Sequence, residues 1–394
     1  MSLPAEVLAE ERLARAAWSF LTEPGDLVAG AVRRGLGARG GLAWASRALA
    51  APEVPGAALD ELAGALGHLD VAAVRRALAR WGRRAAELDP RPALELLEGL
   101  GGSLVVPGDP GWAAGLDELA DAAPPCLWVR GVLDGAALEA RSVALVGSRA
   151  ATSYGERVAA ELGAGLAESG FVVVSGGAFG IDAAAHRGVL ALGGRTLVLL
   201  AGGVDRAYPA AHARLFEAVR AEGGALVSEV PLGWAPMRNR FLLRNRLIAA
   251  VSRGAVVVEA ALRSGALSTA RHAAALLRPV GAVPGPVTSM ASAGCHALLR
   301  DGVAQCVTSS AEVAELVGSL GEDALAPAPF LGGDELDPIS RRVLDAVPLR
   351  RGATSESILR TAGLAEGEGR GALGLLELAG LVLRTGERWV RAGL

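Results

Sequence analysis

Arg238, Arg240, Arg244 and Arg246 fall within one short run, RNRFLLRNR, together with Asn239, Asn245 and a single aromatic, Phe241. No acidic residue occurs from Pro231 through Val258. Guanidinium groups beside an aromatic ring suit a single nucleic-acid strand. Cations track the phosphates, and bases stack on the ring at about 1–3 kcal/mol each. The solvated basic face of an ordinary amphipathic helix would give a similar run. Here, however, the run continues through LIAAVSRG into the apolar segment AVVVEA, which places the arginines at a helix start near the carboxyl edge of a sheet.

Two glycine turns point to the same edge. SVALVGSRAATSYG contains Gly147, Ser148, Arg149 and Ser153, and FVVVSGGAFGID contains Ser175, Gly176, Gly177, Phe179 and Gly180. Each turn follows an apolar run and opens a helix, so its backbone N–H groups and helix N-terminus are aimed at one place, a geometry that holds phosphate. Arg149 adds a planar fork and the serines add hydroxyls. On neighbouring parallel strands the two turns would define a crevice at the carboxyl edge. Neither turn reads GxGxxG with an acid about 20 positions on, so the dinucleotide fingerprint is not met. A further strand-to-helix turn carries Glu259, Ser264 and Gly265, and a rigid turn carries Pro284 and Gly285. Asp182 and His186, four residues apart on one helix face, read either as an acid–base pair or as a structural tether. The tether is the expectation, and Glu259, Pro284 and Gly285 are read as structural with them.

The elements that must position these residues follow from the rest of the chain. It has 394 residues, 51 % hydrophobic and 21 % charged, and its 39 basic residues are all arginine. Without lysine there is no P-loop ATPase and no Schiff-base or pyridoxal phosphate chemistry. The cysteines Cys126, Cys295 and Cys306 fit no metal-ligand or disulfide spacing. No apolar stretch approaches the ~20 residues that span a bilayer, and the N-terminus has no signal core, so a cytoplasmic protein with no cofactor, metal or membrane contact is expected. Charge is uneven: residues 1–140 hold 13 Arg against 19 acids, residues 141–318 hold 17 against 12, and residues 319–394 hold 9 against 11. The net charge of −3 therefore hides a basic middle.

Apolar residues at three- and four-residue spacings predict short helices over 1–100, such as DVAAVRRALARWGRRAAELD. From residue 101 to 318, SVALVG, GFVVVSG, RTLVLLAGG, GALVSE, GAVVVEA and PVGAVPG alternate with helical segments. This predicts an α/β, extended Rossmann-like parallel sheet with strands buried on both faces. Residues 319–336 read as a linker. Residues 337–394 read as three helices and a β-wing, a winged helix whose third helix carries one arginine and two acids.

In order and spacing, GSRxxxxYG, SGGAxGIDxxAH, Tyr208-Pro209, SEVPLGxxP, RNRLIA, SGALxTAxxA and AVPG resemble the DNA-processing protein A family, DprA or Smf, from about Arg130 to Ala314. The resemblance implies a sterile-alpha-motif-like N-terminal domain and a non-catalytic protein that binds single-stranded DNA without sequence preference. It also implies a dimer formed through the Rossmann-like domain and the loading of RecA recombinase during DNA uptake. It further implies that Arg149 and Arg238 grip phosphate, that the Ser175–Gly180 turn donates N–H groups, that Phe241 stacks a base and that Ser264-Gly265 lines the pocket. Three positions depart from the family pattern: Phe179 stands where a basic residue is usual, Leu242 where proline is usual, and Gly294–His296 in a turn that usually differs. The competing reading is a nucleoside-monophosphate phosphoribohydrolase of related fold. Its Pro-Gly-Gly-x-Gly-Thr-x-x-Glu turn is absent from SGALSTARHA, leaving Glu259, Asp182 and His186 as the available catalytic set.

Overall fold

A computed structural model of the chain describes residues 10–50, 56–66, 70–85, 88–318, 336–349 and 352–392. It divides into two compact units, Met1–Ala324 and Leu325–Leu394. The linker expected at 319–336 lies, apart from its last residue, outside the described residues. No described helix is long and apolar enough to cross a membrane, and no described cluster of His, Cys, Asp or Glu could hold a metal ion.

The first unit begins with helices α1 (Glu11–Leu21), α2 (Leu27–Ala50), α3 (Gly56–Leu66), α4 (Val71–Ala85) and α5 (Arg91–Gly99). Their core is built on Trp18, Trp44 and Trp81, with Trp18 and Trp81 edge-to-face at 5.4 Å. Each indole N–H finds an acceptor: Ala38 O, Ala58 O and the Asp26 carboxylate respectively. Buried tryptophan needs such a partner.

A nine-stranded sheet follows, in the order β1-β2-β6-β5-β4-β3-β7-β8-β9. Its strands are β1 (Gly102–Val105), β2 (Leu127–Gly131), β3 (Ser142–Val146), β4 (Val172–Ser175), β5 (Thr196–Leu199), β6 (Ala225–Ser228), β7 (Ala255–Val257), β8 (Val280–Ala282) and β9 (Gln305–Cys306). From β6 to β9 all pairings are parallel, while β1 and β2 add antiparallel pairings at one edge. Strands β3, β5, β6, β7 and β8 are buried at every residue, which is why they read as continuous apolar runs. Alternate residues serve opposite faces: Ala144 and Val146 join one core, Val143 and Leu145 the other. Helices α10 (Arg238–Ala250), α11 (Ala266–Ala275) and α12 (Ala293–Arg300) pack on the first face. Helices α7 (Ser153–Glu168), α8 (Ile181–Ala191) and α13 (Ser310–Val317) pack on the second. Two further helices, α6 (Gly135–Ala140) and α9 (Ala213–Ala221), precede β3 and β6. After β6 the chain crosses to the far side of β3 and lays down β7. This Rossmann-like sheet therefore has its topological switch point between β3 and β7, where such folds leave a crevice.

In the second unit, α14 (Pro338–Ala346), α15 (Ser355–Ala362) and α16 (Glu366–Leu378) pack with strands β10 (Ala353–Thr354), β11 (Val382–Thr385) and β12 (Arg388–Arg391), ordered β10-β12-β11. Their core joins Val343, Ile358, Leu373, Leu376 and Trp389.

Candidate nucleic-acid interface

A cleft of about 780 Å³ opens at the switch point. Its walls are the β3 turn (Gly147, Ser148, Arg149), the β7 turn (Arg263, Ser264, Gly265), the start of α11 (Ser268, Thr269, Arg271) and one face of α10. That face presents Arg238, Phe241, Asn245 and Ile248 at i, i+3, i+7 and i+10, with Leu242 and Arg244 beside them. Five arginines line the cleft and Asp182 is its one acid. Arg149, Arg238, Arg263 and Arg271 are exposed. The Arg149 guanidinium lies 4.4 Å over the Phe241 ring, within cation–π range.

The turn after β3 is held open from behind. Glu259, at the end of β7, accepts Ser148 N–H on its carbonyl at 2.7 Å, and its carboxylate accepts both Thr152 N–H and Thr152 Oγ1–H at 2.8 Å. Thr152, not Ser153, caps α7, accepting Gly155 N–H at 3.2 Å. Ser153 is exposed and lies outside the cleft wall. Gly147 leaves room for Ile181 and the Glu259 carbonyl, which a side chain at that position would strike.

The turn after β4 departs from the sequence reading. Gly176 and Ala178 N–H donate to the Asp182 carboxylate at 3.1 and 3.3 Å, and Ser175 Oγ donates to Leu145 O at 2.6 Å. Ser175, Gly176 and Gly177 are buried. Those donors are already used within the protein, so the expectation that they grip phosphate is corrected: Asp182 occupies the anion seat. A side chain at Gly176 would collide with the Arg244 guanidinium packed over it. From this turn Ala178 and Asp182 reach the cleft wall, and Phe179 stands 49 % exposed. The crevice thus lies between β3 and β7 rather than between the two glycine turns.

The arginine run also divides. Arg240 makes a bidentate pair with Glu23 at 2.9 Å and donates to Ala235 O. Arg246 makes one with Glu229 at 2.5 and 2.6 Å and donates to Ala122 O. Arg244 donates to Leu199 O at 2.6 Å. Asn245 donates to Gly265 O, tying α10 to the β7 turn. All four are buried. The expectation that Arg240 and Arg246 face a ligand is therefore corrected, because each spends its fork on a carboxylate inside the fold. Arg244 and Asn245 reach the cleft with their outer edges only.

Asp182 and His186 do not form a pair with each other. Thr196 Oγ1 donates to Val173 O, so His186 Nδ1–H donates to Thr196 Oγ1 at 2.7 Å. His186 Nε2 has no hydrogen-bond partner among the described residues. Burial pushes His186 down to about 3, leaving it neutral. Burial raises the Asp182 carboxyl, against the pull of Arg244 and the two N–H donors, and lowers Arg244 to about 10. Pro284 O accepts Tyr154 Oη–H at 2.8 Å, and Gly285 O pairs with His296 Nε2 at 3.0 Å. Arg263, Arg271 and Ser268 join the cleft without being a fixed position of any of the sequence motifs above. Ser264, Ser268 and Arg271 stand at i, i+4 and i+7, a helical spacing that marks one face.

The family model described as DNA recombination-mediator protein A matches residues 103–318. A DNA processing protein DprA of Mycobacterium tuberculosis is 49 % identical over 313 residues, 76 % of this chain and 80 % of that one. Protein Smf of Escherichia coli is 44 % identical over 192 residues, 49 % of this chain and 50 % of that one. The X-ray structure of DprA from Streptococcus pneumoniae superposes with a TM-score of 0.61 at 28 % identity, covering 81 % of this chain and all of that one.

Proposed function

The chain belongs to the DNA recombination-mediator protein A family, and from that premise we propose that the switch-point cleft binds single-stranded DNA without sequence preference. The observation that carries the proposal is the pairing of four exposed arginines with one half-buried ring: Arg149, Arg238, Arg263 and Arg271 line one cleft with Phe241, and a single acid stands among them. Phosphates would lie on the guanidinium groups and bases on the ring, a combination that tolerates any sequence. Gly147, Ser148, Ser264 and Gly265 complete the wall with small groups that let a backbone approach. The test is a titration of labelled single- and double-stranded oligonucleotides across salt. The single strand should bind more tightly, with log affinity falling by about 0.7 per neutralised phosphate per decade of salt. Arg149→Glu should abolish most binding. Undiminished binding by this variant would mean that the strand lies elsewhere.

The finer part of the proposal is that the bound strand is handed to a RecA-type recombinase by a homodimer formed through the sheet domain. The family's description as a recombination mediator supports the first element, and the exposed edge strand β9 offers a place for the second. The winged-helix reading of the second unit belongs here too, with a protein-contact role favoured by its acidic balance. The hydrolase alternative would depend on Glu259, whose carboxylate is engaged by Thr152. Release of free base from a nucleoside monophosphate, lost in Glu259→Gln, would favour it.

A further inference from the structure

The cleft uses Phe241 and leaves two aromatic rings beside it without a role. Phe179 and Tyr208, 49 % and 50 % exposed, are the exposed aromatic side chains among the described residues. The other described rings are buried or partly buried, and Trp18, Trp44, Trp81, Trp112, Trp128 and Trp389 belong to cores. Solvent-facing rings at the rim of a cationic cleft are therefore a departure that calls for an occupant.

Each ring adjoins a residue that lines the cleft, Phe179 next to Ala178 in sequence and Tyr208 against Phe241. Phe179 follows Ala178, which lines the cleft, and its ring lies 4.6 Å from His212. His212 is fixed in turn by a 3.0 Å hydrogen bond between Nδ1 and Gly177 O. It closes the short helical turn Ala210–His212, which begins two residues after Tyr208. Tyr208 reaches the other way, its ring 5.8 Å from Phe241 and tilted by 53°. At that separation the two rings are already a direct aromatic pair, within the ~4.5–7 Å range of such contacts, so no base fits between them. Tyr208 nevertheless remains 50 % exposed, and Phe241 is half-buried. The Phe241 ring meanwhile carries Arg149.

We propose that Tyr208 and Phe179 form a second stacking station, over which unpaired bases of the bound strand leave the cleft across the loops that follow β5 and β4. The proposal rests on the single-strand reading of the cleft. Its occupant is nucleobase, because the station continues directly from the ring that touches the phosphate-gripping arginine. A π-face at position 179 would add affinity through stacking, a term that does not depend on salt as phosphate neutralisation does.

The experiment measures anisotropy of labelled oligo-dT of increasing length with the full chain. Wild type is compared with Arg149→Glu, Tyr208→Ala, Tyr208→Phe, Phe179→Ala and Phe179→Arg. On long oligonucleotides each alanine variant should bind about 5- to 150-fold more weakly with an unchanged salt slope. On the shortest oligonucleotides that bind, the alanine variants should match wild type. Tyr208→Phe should retain binding at all lengths, and Phe179→Arg should steepen the slope by about 0.7. Wild-type behaviour of both alanine variants at every length, with Arg149→Glu inactive, overturns the station and leaves the cleft intact. An equal loss at every length also overturns it, making the rings props for Arg149. Normal binding by Arg149→Glu overturns the cleft reading itself.

Discussion

Arg238 and Arg240 stand two residues apart on α10 and have opposite fates. Two residues turn a helix by about 200°, so one guanidinium faces the cleft and the other faces Glu23 on the helical module. Arg246 repeats the inward choice with Glu229. One side of α10 lines the cleft and the other carries a pair of buried ionic joints. Residue type is the same on both sides. What separates them is whether a carboxylate waits within reach in a desolvated place, since a buried guanidinium must be paired.

The largest break in that comparison should come from the inner side. Glu229→Leu strands Arg246 in a site where the two side chains are 4 % and 3 % exposed. Urea unfolding should show a loss of about 3–5 kcal/mol, while the folded fraction binds oligonucleotide normally. An unchanged midpoint would show that the joint is dispensable. On the outer side, Arg238→Glu should leave the unfolding curve in place and weaken single-strand binding by about 1.5–3 kcal/mol, flattening the salt slope. Destabilisation without loss of binding would reverse the roles assigned to the two faces.

The smallest effect should be the pH response of the Glu23 joint. Burial alone would raise this carboxyl, but hydrogen bonds from Arg240 and Arg84 prevail and hold it below its ordinary 4.5. A carboxyl whose folded value is depressed stabilises the fold above its unfolded value and loses that contribution as pH falls through the folded one. Thermal melts of Glu23→Gln should therefore lie below wild type at pH 7, and the gap should close as pH falls from about 4.5 downward. A gap that stays constant across that window would remove the carboxylate from the account of Arg240.

The sequence made the strands and the existence of a basic edge legible, for a physical reason. Strands such as β3 and β7 are covered on both faces, so they are written as unbroken apolar runs, and the glycine turns that end them follow directly. The position of the crevice was not legible. It depends on β7 crossing to pair with β3 instead of extending the sheet beyond β6, a choice made by packing across the whole domain. The partners of Arg240 and Arg246 were hidden for the same reason: Glu23 lies 217 residues from Arg240, and nothing local announces it. The capture of Gly176 and Ala178 N–H by Asp182 was closer to hand. An aspartate in the first turn of the following helix competes for the same donors as a phosphate would. Tyr208 was visible only as part of Tyr208-Pro209, because its neighbour Phe241 is brought to it by the fold.

The cleft's positive charge is carried entirely by guanidinium, in a chain that has no lysine. Acyl transfer to side-chain amines, a common way to dim a DNA-binding surface, finds nothing to modify there. Arg244, lowered to about 10, still carries its charge through neutral pH. Amine-directed footprinting would likewise pass over the site without a mark, whereas a dicarbonyl reagent selective for guanidinium would label Arg149, Arg238, Arg263 and Arg271, and a bound strand should shield them.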